Sequence, residues 1–253
     1  MNYTILFITV EYIVATYMFG LAYKIVGQKL SVYIQRNFGW VGYCILGSVG
    51  VTFHEISHLI TAILFRHKIN EVRLFRPFQG KIDGTLGYIN HSWNTRSIYQ
   101  KIGNFFIGTA PMFFGAGLFF ILLRIAYPSA FINVTEISEI PNAFMFAFNN
   151  VLNRSFLFTM WTPIIFLIAI FICPHMHMSW VDVKGATSGA VALIILALIL
   201  SFASALIPEN MIAQIQSTMN TFVTYYVFAL ILGLIFSILM TILFGLMSLV
   251  RGI

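Results

Sequence analysis

Charged side chains are scarce in this chain, at 9% of 253 residues, whereas 59% are hydrophobic. No soluble domain of that length has a core large enough to hide so much apolar surface. A soluble enzyme or binding domain is therefore excluded, and an integral membrane protein is expected. Cysteine is nearly absent as well. Cys44 and Cys173 lie in or beside apolar stretches, which excludes a disulfide scaffold and leaves at most one bridge. Aspartate occurs only at Asp83 and Asp182. Internal repeats and low-complexity tracts are missing. The first apolar run has neither a basic n-region nor a small-residue cleavage site, and it carries Glu11, so it reads as a retained span. Lys and Arg outnumber Asp and Glu by 14 to 8. In a membrane chain that excess marks cytoplasmic loops and is no sign of nucleic-acid binding.

What is there is apolar sequence in six blocks: residues 5–22, 40–65, 102–125, 156–172, 188–207 and 222–250. Each approaches the 20 or so residues needed to cross a bilayer, which predicts a single all-α polytopic domain, 1–253, with about six transmembrane helices. Residues 24–38 read as a polar connector. Residues 66–101 are different, with seven Lys/Arg and short alternating runs at 71–75 and 85–90 separated by Pro77, Gly80 and Asp83-Gly84. They read as a β-hairpin at the membrane surface or as a plain cytoplasmic loop. His91 within them reads as a surface histidine. Residues 143–156 look like an interfacial helix. If 66–101 is cytoplasmic, nine Lys/Arg share that side and five lie opposite, with Lys24, Lys29 and Arg36 running against the bias. Glu11 is either a functional carboxylate facing a cavity or a group held near the interface.

The second block contains VTFHEISHLITAILFR at 51–66. Residues four apart lie one above the other on a helix, so His54 and His58 can direct ring nitrogens at one cation. Glu55 sits where it can serve as base to a water without binding the metal. This H-E-x-x-H spacing is the zincin pattern of two zinc ligands and a general base. The alternative is a polar patch between packed helices, although ionisable groups at membrane depth are costly and usually functional. Gly42, Gly47, Ser48 and Gly50 precede His54, where small residues let a neighbouring helix come close.

A catalytic zinc needs a third protein ligand, with the fourth position left open. Asp83 is accounted for by its turn. Asp182 follows the fourth block in CPHMHMSWVDVKGATSGA and is the first choice, its alternatives being a helix N-cap or a partner for Lys184. His175 and His177 compete as ligands, or could donate a hydrogen bond to a developing oxyanion.

With these residues in hand, the chain resembles the site-2 protease family of intramembrane zinc metalloproteases. The likeness rests on His54-Glu55-Ile56-Ser57-His58, the surface-lying polar segment after it, and a distant aspartate at the membrane edge. The stretch His177-Met178-Ser179-Trp180-Val181-Asp182-Val183-Lys184-Gly185-Ala186 also resembles a pattern found in small bacterial zincin-like membrane proteins. The resemblance implies zinc held by His54, His58 and Asp182, and Glu55 as catalytic base. It further implies a multi-pass protein of a bacterial plasma membrane that cleaves a membrane protein or peptide. The chain departs from the family pattern in two ways. Val181 and Val183 flank the aspartate where the family has Leu-Asp-Gly or Asn-Pro-Asp-Gly, and there is no inserted PDZ-like domain. Two further readings of the same residues are a metal or proton transporter and a non-proteolytic zinc-binding membrane protein. The oligomeric state is not legible.

Overall fold

A computed structural model describes residues 3–151 and 161–252. Its elements in chain order are α1 (Thr4–Leu64), β1 (Lys68–Arg73), α2 (Pro77–Asp83), β2 (Tyr88–Ser92), α3 (Ile98–Ala126), α4 (Ile140–Val151), α5 (Trp161–Ile172), α6 (Trp180–Ala203) and α7 (Glu209–Val250). A 3-10 turn, Cys173–His175, links α5 to the approach to α6.

Four helical segments among the described residues are long and apolar enough to cross a membrane: Thr4–Leu64, Ile98–Ala126, Trp180–Leu206 and Glu209–Val250. A shorter apolar helix spans Trp161–His175. The six expected spans are thus not six separate helices. The first two are fused in α1, and the fourth is the short helix, whose expected beginning at 156–160 lies outside the described residues. The last two begin earlier than their apolar cores, at Trp180 and Glu209. Many large side chains on α6 and α7 point outward, among them Ile199, Phe202, Leu239 and Leu246. An apolar exterior on helices of this length is what a lipid surround requires, and the chain is a membrane protein.

The fusion of α1 has a local cause. The presumed connector 24–38 has no proline and is rich in helix-compatible residues. Its polar groups also find partners: Asn37 Nδ2 donates to the Phe244 carbonyl at 2.8 Å and to Ser248 Oγ at 2.9 Å. Lys24 Nζ sits 4.1 Å from the centre of the Trp180 ring. The helix bends only at Gly39, whose φ of 65° and ψ of −172° are open to glycine and costly for other residues. There the chain folds back. Gly27 faces the Pro174 carbonyl, and Gly50, 23 residues later, faces Phe171 and His175 of the same turn region. A straight helix would separate two such points by on the order of 35 Å.

The outgoing limb, residues 4–38, runs parallel to α7. Thr16 meets the Tyr226 hydroxyl at 3.2 Å, and the Tyr23 hydroxyl donates to the Leu230 carbonyl at 2.8 Å. The returning limb, 40–64, carries the histidines and ends against the start of α3, where the Tyr99 hydroxyl donates to the Leu64 carbonyl at 2.8 Å. Tyr12, Tyr23, Phe105, Met112, Met176, Met178 and Phe228 form the heart of the core between these helices.

The expected hairpin is present. β1 and β2 pair antiparallel, Ile69 opposite His91 and Arg73 opposite Tyr88, with an irregularity between Ile69 and Glu71. The connection holds the short helix α2 rather than a simple turn. Asp83 does what its turn signal suggested: its carboxylate accepts from the Thr85 amide at 2.9 Å and pairs with Arg76. The expected interfacial helix appears as α4, Ile140–Val151, amphipathic with Ala143, Ala147 and Val151 inward; its expected remainder falls outside the described residues. Glu11 is exposed on α1.

Candidate metal centre

His54 and His58 stand one turn apart, and both are buried. Each ring is held by a backbone oxygen from another element. His54 Nδ1–H donates to the carbonyl of His175 at 2.7 Å, and His58 Nδ1–H donates to the carbonyl of Ile107 in α3, also at 2.7 Å. A carbonyl can only accept, so each Nδ1 carries its ring's proton and each Nε2 is left with a lone pair. The two Nε2 atoms lie 3.1 Å apart. Lone pairs facing each other at that distance repel unless a positive charge lies between them. Fixing a ligand imidazole through its second nitrogen is the usual outer-shell device of metal sites.

Asp182 completes the group. One carboxylate oxygen, Oδ1, is 3.6 Å from His58 Nε2. The other, Oδ2, accepts from the Ser179 amide at 2.8 Å, while Ser179 Oγ accepts from the Asp182 amide at 3.2 Å. This reciprocal capping box starts α6. The capping role foreseen for Asp182 and the ligand role are therefore compatible, because they use different oxygens. One ligand atom from each of His54, His58 and Asp182 falls within 4.8 Å of the others, and the three could hold a metal ion.

Two glycines let these elements close. A methyl on Gly50 would collide with the His175 ring and the Phe171 carbonyl, so only glycine lets the 173–175 turn rest on α1 beside His54. A methyl on Gly108 would sit 2.5 Å from the Asp182 carbonyl oxygen and 2.9 Å from Ala186 Cβ. Gly108 thus brings α3, with its Ile107 acceptor, and α6, with Asp182, to the same point.

Glu55 is buried next to the ligands and borders two cavities, of about 660 and 290 Å³. The larger runs from His54, Glu55, His58 and Asp182 along β2, and the smaller lies toward His175 and His177. His177 is close, its ring centre 5.3 Å from that of His54, with Nδ1 buried and unpartnered. His175 is not one of the three grouped ligands. Its ring nitrogen Nδ1 bonds the Phe171 carbonyl at 2.9 Å, and its contribution to the site is its backbone oxygen.

The surface reading of His91 is overturned. It is partly buried, lines the larger cavity with His58 and Asp182, and packs its Nδ1 3.0 Å from Nδ1 of the buried His67. Continuing the strand one residue past Asn90 would have placed His91 on β2, but nothing local announces its partner. Compared with known protein families, characterised proteins and solved structures, the chain has no match.

Proposed function

We propose that this chain is a membrane-embedded zinc endopeptidase of a bacterial plasma membrane, cleaving peptide bonds of membrane proteins or peptides. The observation that carries the proposal is the pair of facing Nε2 lone pairs on His54 and His58, with the free oxygen of Asp182 beside them and Glu55 adjacent. Two imidazoles and a carboxylate form the donor set of a catalytic zinc. A zinc ion held by them supplies a Lewis acid and makes water acidic near neutral pH.

The chain's own groups then divide the work. Glu55 takes the proton of the attacking water and passes it to the leaving amine. His177 donates a hydrogen bond to the carbonyl oxygen as negative charge grows there. A helical substrate hides its carbonyls in backbone hydrogen bonds and must open before attack. Among the described residues β2 is paired on one side only, by β1, and Thr85, Gly87 and the residues from Tyr88 to His91 border the larger cavity. An extended segment can therefore add to β2 as a third strand, held by main-chain hydrogen bonds.

The test is zinc content per chain in detergent-purified protein, together with mass spectrometry of single-span membrane peptides incubated with it. One zinc per chain is expected, lost in His54→Ala and Asp182→Ala. Glu55→Gln should keep the zinc and lose cleavage. Cleavage persisting in Glu55→Gln would remove the assigned base. Bound zinc without cleavage by the parent protein would favour a non-proteolytic zinc protein.

A further inference from the structure

His67 and His91 form a second pair of imidazoles, outside the proposed ligand set. His67 follows the end of α1, where Arg66 takes a left-handed conformation with φ of 57° and turns the chain inward. The amide of His67 returns to the Ala62 carbonyl at 2.9 Å, which seats the ring under the hairpin. His67 Nε2 lies 3.0 Å from the carbonyl of Gln100, and its Nδ1 lies 3.0 Å from Nδ1 of His91. The Trp93 ring stacks on His67, 6.3 Å between centres and 18° between planes.

These contacts fix the protons. The Gln100 carbonyl accepts only, so His67 carries its proton on Nε2 and offers a lone pair at Nδ1. His91 must then donate from Nδ1, which leaves its own Nε2 with a lone pair. That atom has no hydrogen-bond partner among the described residues and is not sealed from solvent. His91 lines the 660 Å³ cavity, alongside Asn90, Asn104, His58 and Asp182. An isolated neutral histidine has no such constraint; here a second buried ring holds the tautomer in which the cavity-side nitrogen is an acceptor.

We infer that His91 is a substrate-positioning residue whose Nε2 accepts a hydrogen bond from a backbone N–H of an extended peptide lying along β2, with His67 holding it in that tautomer. The assignment deepens the peptidase reading by adding a peptide-contacting residue outside the zinc ligands. It also requires His91 to hold its proton on Nδ1, the less common neutral form.

The experiment uses full-length Glu55→Gln protein, so that peptide binds without being cleaved. Nitrogen-15 spectra of the histidine rings report the tautomers, and titration with a blocked alanine–valine pentapeptide reports binding. The expected result is His67 protonated on Nε2, His91 protonated on Nδ1, and a shift of the His91 Nε2 resonance on titration. Binding should weaken about tenfold in His91→Phe, the equivalent of roughly 1.4 kcal/mol. It should stay within about threefold in His91→Gln, which keeps an acceptor. His91 protonated on Nε2 in the free protein overturns the inference. So does an unshifted Nε2 resonance at saturating peptide, or no peptide binding, or equal affinity in His91→Phe. The peptidase reading fails separately, when the wild-type protein leaves the same bound peptide intact.

Discussion

The backbone oxygen of His175 lies 2.7 Å from Nδ1 of His54, so a turn more than a hundred residues away along the chain decides which nitrogen of the first histidine faces His58. That contact exists because Gly50, one turn before His54, has no side chain to hold the turn off. Gly50→Ala should push the 173–175 turn outward and release the His54 ring. Loss of an outer-shell partner costs roughly 10–100-fold in metal affinity. A chelator-competition titration should show a fall in that range, while thermal unfolding shows about 1–3 kcal/mol of destabilisation from overpacking. Unchanged affinity would mean the carbonyl does not orient the ring.

Asp182 divides its two oxygens between a helix start and the metal cluster, and substitutions can separate the two roles. Asp182→Asn retains an oxygen for the Ser179 amide but gives up the charged ligand. The helix should persist, and zinc affinity should fall by at least about a hundredfold, beyond what outer-shell changes cost. Ser179→Ala should do the reverse, costing about 1 kcal/mol of stability for the lost cap with zinc content kept. Equal effects of the two variants on zinc would argue that capping, not ligation, is what the site needs from this segment.

The hairpin should loosen in acid. Burial, and then the neighbouring charge of His67, hold the His91 ring down to about 4. His58 on α1 adds to the lowering, and Asp182 on α6 opposes it. An unfolded histidine titrates near 6.5, so below that pH the open form takes up a proton that the closed form refuses. Stability of the closed hairpin is thus full above about pH 6.5, falls as pH drops toward 4, and levels off below that. Amide exchange in β1 and β2, corrected for intrinsic rates, should rise across this window. The rise should shrink in His91→Gln. A flat profile in the wild-type protein would contradict the burial of the ring.

Gly39 is the single non-helical position inside α1. An alanine there must adopt a backbone conformation it disfavours, at a cost of about 1–3 kcal/mol. Gly39→Ala should lower the melting temperature in detergent, and Gly117→Ala, in regular helix of α3 and with equally open space where its methyl would go, offers a comparison of the same chemical change without the positive φ.

The grouping of His54, His58 and Asp182 was more legible in the sequence than the architecture was. Helical spacing alone put His54 and His58 on one face, and the rarity of aspartate made Asp182 the first choice of third donor, ahead of His175 and His177. Alternation with turn residues was enough to expect the hairpin. The fused α1 was hidden because Lys24, Lys29 and Arg36 look like a loop until α6 and α7 are there to partner that stretch, through Trp180 and through Phe244 and Ser248. The helix α2 was masked by Pro77 and Gly80, which signal turns as readily as a short helix beginning at proline. The His67–His91 pair was out of reach for the same reason as the Ile107 acceptor. Each depends on strand register or helix packing between segments far apart in the chain.

The order in which the site's parts appear along the chain sets when it can exist during synthesis. A growing polypeptide displays both histidines and Glu55 early, on the returning limb of α1. The acceptor for His58 follows with α3. The acceptor for His54 and the carboxylate of Asp182 emerge only after α5 has been made. Until then His54 lacks its orienting contact and the pair lacks a third donor, so the nascent protein passes through most of its membrane insertion without an assembled centre. The three side chains come together as one late event, when α6 seats against Gly108 and brings Asp182 to the two histidines.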